Sequence, residues 1–436
     1  MAKAYKAKWI MAQDGNVYED CALITDEGKV FTIVKQNEID SSIKHVKEFG
    51  NSVITPGFIN LHNHLQYTNI GKTKLKGFRE NVKKIFTDFK KHYHLAGIPR
   101  NSFTYKLADL LSEYFCYTKE DKIKSFKKGL ELSVLNGTTC ICQLSKESKY
   151  FDLLNETPVK TYLFFELFSD SVETSKEEFR NTQKRINKLM KQKSENTYIS
   201  IAPHSVTSVH KRLFKILVKY CKKNNILLTI RLAESKDEID WLKHGFSDSD
   251  VLGAFCGNKK FDPAIQGVTP VIYLKSMDVL NKQMIATYGN YLTDEDLEIL
   301  KENKVSFCYC PRVSKKLHNK VLDFEKVNET FKKRYGFGTN SLAFNDDLSL
   351  LNEVKSVNNG VLNADEVIAH LTIYPAKILR LDNITGSLES GKDADFNVFF
   401  LNDNEDYNAV INKSRPDYVY IKGRKVVSKG GLVSAV

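Results

Sequence analysis

The chain has 436 residues, 42% hydrophobic and 27% charged, and carries 65 Lys and Arg against 53 Asp and Glu for a formal net charge of +12. That length and apolar content suit one large domain plus a smaller one and exclude a disordered polymer. No apolar run approaches the ~18 residues of a membrane span, Met1 to Asp14 lack the apolar core of a secretory signal, and basic residues stand in ones and twos, so we expect a cytoplasmic protein with neither membrane nor nucleic-acid partners.

From the N-terminus, residues 1–52 show short alternating strands with glycine turns at Asp14-Gly15 and Glu27-Gly28. Apolar, β-branched or aromatic runs then recur at Val53–His64, Thr138–Ser145, Lys160–Ser169, Tyr198–Ser205, Ile226–Ala233, Met284–Tyr291, Val305–Arg312 and Tyr335–Ser341. Between them lie segments with helical spacing, among them Thr118–Leu135, Thr174–Lys193, His210–Asn224, Thr293–Glu302 and Asp346–Val357. Eight strands alternating with helices predict an α/β fold, a (β/α)8 TIM barrel over residues 53–384. Thr293 and Asp296 form a capping pair that fixes the start of one of these helices.

The long segment between the first two barrel strands, about residues 65–137, predicts extra helices over the barrel mouth. His92-Tyr93-His94 falls there, and on a helix such a pair diverges, so it reads as surface decoration. Residues 385–436 return to short strands with turns at Lys422-Gly423 and Gly430-Gly431, and with residues 1–52 they predict a small β-sandwich built from both termini. The eight cysteines form no disulfide-like framework. The pairs Cys140/Cys142 and Cys308/Cys310 fall on strands three steps of about 4.8 Å apart, too far for one tetrahedral ion, and read as buried thiols.

Chemistry concentrates at the strand ends. His62 and His64 are two apart on a strand and project to one side, at the C-terminal end where barrel enzymes build their sites. Two imidazoles there can ligate zinc or iron, although an isolated His-x-His more often packs without metal.

Pro56-Gly57-Phe58-Ile59-Asn60-Leu61-His62-Asn63-His64-Leu65, Ala202-Pro203-His204-Ser205, Leu232-Ala233-Glu234-Ser235, Leu292-Thr293-Asp294-Glu295-Asp296, Cys310-Pro311-Arg312 and Gly338-Thr339-Asn340-Ser341-Leu342-Ala343 together resemble the amidohydrolase superfamily over nearly the whole chain. Within it the chain looks most like the branch of aminofutalosine deaminases, adenosine-type deaminases and triazine chlorohydrolases. The closing Gly386-Ser387-Leu388-Glu389-Ser390-Gly391-Lys392-Asp393-Ala394-Asp395 is similar to that family's return into the β-sandwich.

The resemblance implies a metal held by His-x-His of the first strand, a His of the fifth and an Asp of the eighth, with a His of the sixth and a Glu of the fifth assisting catalysis. His62, His64 and Glu234 match, whereas Arg231, Tyr288 and Asn340 stand at the positions of the fifth-strand His, sixth-strand His and eighth-strand Asp. Arg has no lone pair to donate, and Asn supplies neither an anionic ligand nor a base. We therefore expect no tightly bound cofactor, with zinc or iron only if the site is functional. Glu234, Tyr288 and Asn340 are the candidate catalytic positions, and His62 and His64 the remaining metal ligands.

Arg231 is expected to bond Asn340 or Glu234. With Arg312, His204 and the two histidines it makes a positively inclined mouth suited to a small ligand bearing a carboxylate or phosphate. His204 stands where the family contacts substrate, and Ser145 and Glu166 where pocket walls form. Two readings stand: a protein that has lost metal-dependent hydrolysis and keeps a ligand-binding or partner role, or an active deaminase of an aminopurine-like nucleoside, on the futalosine route to menaquinone, in which Glu166, Glu234 or Asp346 supplies a missing ligand. A homodimer is the expected assembly.

Overall fold

The structure, a computed structural model, describes residues 1–13, 15–71, 103–245 and 267–433. The N-terminal segment forms β1 (Lys3–Gln13), β2 (Asn16–Asp26), β3 (Lys29–Lys35), β4 (His45–Glu48) and β5 (Ser52–Pro56). Eight parallel strands follow: β6 (Phe58–Asn63), β7 (Thr138–Ser145), β8 (Lys160–Leu167), β9 (Thr197–Pro203), β10 (Leu228–Leu232), β11 (Met284–Tyr288), β12 (Ser306–Tyr309) and β13 (Tyr335–Phe337). The chain returns through β14 (Phe396–Phe400), β15 (Tyr418–Ile421), β16 (Arg424–Ser428) and β17 (Gly431–Leu432). These last four join β1–β5 in one nine-stranded mixed sheet, with β14 antiparallel to β5. Both chain ends thus build one sheet, whose Tyr5 packs edge-on to Phe396 and Tyr420 at 4.9 and 5.0 Å between ring centres.

The eight barrel strands coincide with the eight apolar runs, with one refinement. The run at Val53–His64 splits at Gly57: β5 belongs to the terminal sheet and β6 opens the barrel. A side chain at 57 would collide with Thr139, its ideal Cβ lying 2.1 Å from Thr139 Oγ1, so glycine lets one continuous apolar run serve two sheets. The helices start where their caps dictate, Lys119–Leu135 after a Thr118/Asp121 capping box and Asp294–Glu302 after Thr293/Asp296. His92-Tyr93-His94 and Cys256 lie outside the described residues, while the other seven cysteines are buried free thiols.

The barrel closes between β13 and β6 at Asn340. Its N–H donates to the His62 carbonyl at 2.9 Å and its carbonyl accepts from the His64 N–H at 2.7 Å. Closure is tight enough that a Cβ on Gly338 would sit 2.6 Å from His62 Cβ and within 3 Å of the Cys308 and Cys310 sulfurs. The fold therefore fixes three mouth positions by main-chain bonds alone.

At the opposite end, Lys160 begins β8 with a side chain 1% exposed, its Nζ 2.6 Å from Asp393 Oδ2 and 2.6 Å from Asp395 Oδ2. Asp395 also accepts from the Lys422 N–H and the Thr385 hydroxyl. A buried cation between two carboxylates contributes little net stability against an apolar substitute, but removing one partner leaves uncompensated charge. Lys160→Ala should cost about 3–5 kcal/mol at neutral pH, read as a lowered urea midpoint with an unchanged slope; an unchanged midpoint would show that the carboxylates find other partners.

Candidate functional site

The ends of β6, β8, β10, β11 and β13 converge on a compact group of side chains. His64 is the best-defined member. Arg231 Nη2 lies 2.8 Å from His64 Nε2, and because a guanidinium only donates, Nε2 must be the acceptor. The imidazole proton is thereby left to Nδ1, beside which lie the Leu144 backbone and, at 3.3 Å, the Gln66 amide nitrogen. Arg231 Nη2 also donates to Glu166 Oε1 at 2.9 Å.

Around His62, the Tyr288 hydroxyl lies 3.2 Å from Nε2 and accepts a 2.5 Å bond from the Asn340 amide, while His62 Nδ1 is buried with no partner among the described residues. Ala233, Tyr288 and Asn340 all hold φ between 50° and 76°, left-handed values that are costly for a bulky residue such as tyrosine. Such strain at three neighbouring strand ends is what a functional mouth shows more often than a structural corner.

Burial and the Arg231 charge push His62, His64 and His204 well below the usual imidazole range, so all three are neutral at physiological pH. Burial alone would lower Arg231, but Glu166 and Glu234 outweigh it and hold the guanidinium charged. Burial raises Glu166 and the adjacent guanidinium opposes the shift. His204 bonds Ser208 Oγ through Nδ1 at 2.8 Å and lies against Phe168, 4.6 Å between ring centres. Glu234 stands on the other side, its Oε1 3.4 Å from His318 Nε2 and its backbone held by Glu238 and Asn290.

Several expectations need correcting. Arg231 pairs with Glu166 and bonds neither Asn340, whose amide is committed to Tyr288, nor Glu234, whose Oε1 faces His318 Nε2 at 3.4 Å. Arg312 does not join the group: it bonds Asp347 at 2.6 Å and has Asp346 and Glu353 beside it. Ser145 closes a local turn with the Glu147 backbone. Asp346 is 78% exposed and pairs with Lys316, remote from any ligand role. With its histidines neutral and Arg231 matched by Glu166, the mouth is not strongly positive.

Sequence reading missed Gln66, Tyr67, Gln143, His318 and Glu238. Gln66 and Tyr67 directly follow the His-x-His run, and that adjacency was a usable signal: Tyr67 stacks on His64 at 5.6 Å and Gln66 bonds Gln143 and the Leu144 carbonyl. His318 reaches Glu234 from the end of the helix Pro311–His318, a contact that no local pattern announces.

These residues do not fit the zinc or iron that the fold implies. The lone pair of His64 that would bind metal accepts from Arg231, His62 Nε2 is engaged by Tyr288, and a charged guanidinium lies where a dication would need to be. Among the described residues, no group of three or more His, Cys, Asp or Glu side chains is placed to hold a metal ion.

The sequence model for the amidohydrolase family matches residues 53–426. The chain belongs to the amidohydrolase family. It is 26% identical over 389 residues to a 5-methylthioadenosine/S-adenosylhomocysteine deaminase of Thermoanaerobacter pseudethanolicus, covering 85% of this chain and 78% of that protein. It is 24% identical over 391 residues to an aminodeoxyfutalosine deaminase of Nitratiruptor, covering 86% and 87%. Among solved structures, aminofutalosine deaminase of Helicobacter pylori in complex with methylthio-coformycin superposes with a TM-score of 0.78 at 20% identity, over 98% of this chain and 100% of that one. A zinc-bound adenosine deaminase of Xanthomonas campestris gives 0.71 at 17%, over 99% and 94%. This amidohydrolase is thus related to the aminofutalosine and methylthioadenosine deaminases, and no helix among its described residues is long and apolar enough to cross a membrane.

Glu238 offers a pH test of the mouth. Burial raises its carboxyl from the ordinary 4.5 to about 8, against the lowering effect of the Glu234 and Ala233 N–H groups. In this amidohydrolase the folded state keeps the proton while the unfolded chain releases it above 4.5, so Glu238 makes stability fall as pH rises from 4.5 to about 8 and level off beyond. Glu238→Gln should flatten that window and raise the urea midpoint at its alkaline end; an identical pH profile in the variant would show that Glu238 ionises normally.

Proposed function

We propose that this amidohydrolase takes a purine-nucleoside-like small molecule at its barrel mouth without metal-activated hydrolysis, Arg231 standing in place of the cation. The carrying observation is the 2.8 Å contact of Arg231 Nη2 with His64 Nε2, which consumes a lone pair that a metal would need. The ligand class is supported by the relatives, named for methylthioadenosine, S-adenosylhomocysteine and aminodeoxyfutalosine, and by the inhibitor bound in the Helicobacter structure. Glu234 and His204 line the mouth as hydrogen-bonding groups. Asn340, turned to Tyr288, has no base to offer a water.

A second reading has its own support. The relatives named as deaminases match across 85–86% of the chain, and the Leu232-Ala233-Glu234-Ser235 motif resembles the one that carries the family's catalytic Glu, which favours hydrolysis of a C–N bond on an aminopurine-like nucleoside through an atypical metal arrangement. The two part on one measurement: metal per chain by plasma mass spectrometry, on protein purified without chelator and offered excess zinc, iron and manganese, alongside ammonia release from 5′-methylthioadenosine and adenosine. We expect near-zero metal and no ammonia. Stoichiometric metal with turnover would establish the second reading.

The same assignment predicts a gain. Arg231→His combined with Asn340→Asp restores a three-histidine, one-carboxylate set with His62 and His64 and should raise zinc affinity by orders of magnitude. Unchanged metal content in the double variant, with the fold intact by circular dichroism, would mean that these four positions do not converge.

A further inference from the structure

The barrel end opposite the mouth divides into a covered half and an open one. Beneath β6–β8 the terminal sheet covers it: the Gly57 N–H donates to the Asp395 carbonyl at 2.9 Å, the Asn397 amide donates to the Gly137 carbonyl at 3.0 Å, and Lys160 is held by Asp395. Beneath β10–β13 the chain meets solvent. The connections that enter parallel strands share one end of a barrel, and here they carry Lys222 and Lys223 before β10, Lys282 before β11, Lys304 before β12 and Lys332 before β13, all exposed. Cross-links make these connections one surface. Gln283, next to Lys282, donates to the Cys221 carbonyl at 3.1 Å, and Arg334 donates to the carbonyl of Val305, next to Lys304.

The helix Ile373–Leu379 closes the floor, its Ala376 and Leu379 packed in one apolar cluster with Leu61 and Cys308 of the barrel interior. It adds two more cations. Lys377 Nζ lies 5.9 Å from the Tyr374 ring centre, with Lys333 Nζ at 5.4 Å, and Arg380 donates to the Asn225 carbonyl at 3.0 Å. Among the described residues, none of the five lysines that enter β10–β13 forms an ion pair. Lysines on other faces do: Lys128 meets Glu131 at 3.3 Å, Lys236 meets Asp240 and Lys326 meets Asp294. The acids on the same connections are Asp278 and Glu302. Along the chain these cations stand in ones and twos, a pattern that by itself implies no charged partner; the barrel topology gathers them.

We propose that this open end is a docking face for an anionic lipid bilayer, with the mouth turned away from the membrane. Like charges gathered without counter-charges attract an extended anionic surface. Three features favour a bilayer over nucleic acid. The free cations are lysines, hydrated point charges, whereas the forks of Arg334 and Arg380 that would suit phosphate reading are turned to backbone carbonyls. The cations spread over an end instead of lining a groove, and the aromatic ring among them, Tyr374, is buried and cannot stack on a base. At the adjoining connection into β9, Met190 is 48% exposed beside Lys191 and offers an apolar side chain to the boundary between headgroups and acyl chains. This face is independent of what occupies the mouth.

The test is co-sedimentation of the full chain with vesicles of equal parts phosphatidylglycerol and phosphatidylcholine, against phosphatidylcholine alone, at physiological salt. We expect binding to the anionic vesicles only. Lys222→Gln combined with Lys223→Gln and Lys332→Gln should weaken it about a hundredfold, at about fivefold per lysine near an anionic surface. Lys128→Gln combined with Lys236→Gln and Lys326→Gln removes the same net charge elsewhere and should leave binding within about twofold, since the field of a lysine falls off within a Debye length. Absence of binding to the anionic vesicles, or equal weakening by the two triple variants with folds intact by circular dichroism, would overturn the docking face. Tighter binding of duplex DNA or single-stranded RNA than of the vesicles, read by fluorescence anisotropy and lost in the first triple variant, would overturn the lipid assignment in favour of nucleic acid.

Discussion

A guanidinium N–H pointed at the Nε2 of His64 is the constraint from which the rest of the mouth follows. Because Arg231 cannot accept, the contact fixes the His64 tautomer, leaves its proton to Nδ1 beside the Leu144 backbone, and brings in Gln66 and Gln143 to satisfy that corner. A buried cation needs a buried anion, and Glu166 supplies it from two strands away. The histidines around this pair stay neutral, since a second positive charge beside Arg231 in a dry site is costly. Tyr288 and Asn340 then complete a second set of hydrogen bonds around His62.

Backbone and side chains at the mouth have separable duties. Asn340 closes the barrel with its main-chain N–H and carbonyl, bonds indifferent to whether its side chain is an amide or a carboxylate. Family-like architecture can therefore persist while the chemistry of the same positions changes, and a TM-score of 0.78 to a deaminase speaks of the first and not the second.

Much of the fold was legible in the order of residues. Eight apolar runs marked eight barrel strands, and glycine turns at both ends marked the shared terminal sheet. Gly57 hid a boundary, because hydrophobicity is continuous across it and only the collision with Thr139 shows why the run divides. At the site, spacing correctly joined His62 and His64, but partners across a barrel interior are set by strand register. Arg231 therefore met Glu166 and His64 in place of the nearer-seeming Glu234, and the charge of Arg312 was absorbed by Asp347. His318 approaches Glu234 from a separate helix, which no periodicity within either segment reveals.

The buried Lys160 bears on how the chain assembles. Its carboxylate partners, Asp393 and Asp395, lie more than two hundred residues downstream, and β5 waits for β14 across an even longer gap. As the polypeptide emerges from the ribosome, β5 and the foot of β8 lack their counterparts until residues 393–400 are made. β5 must persist meanwhile with an unpaired edge, so the barrel base is sealed only by a segment made long after the strands that it completes.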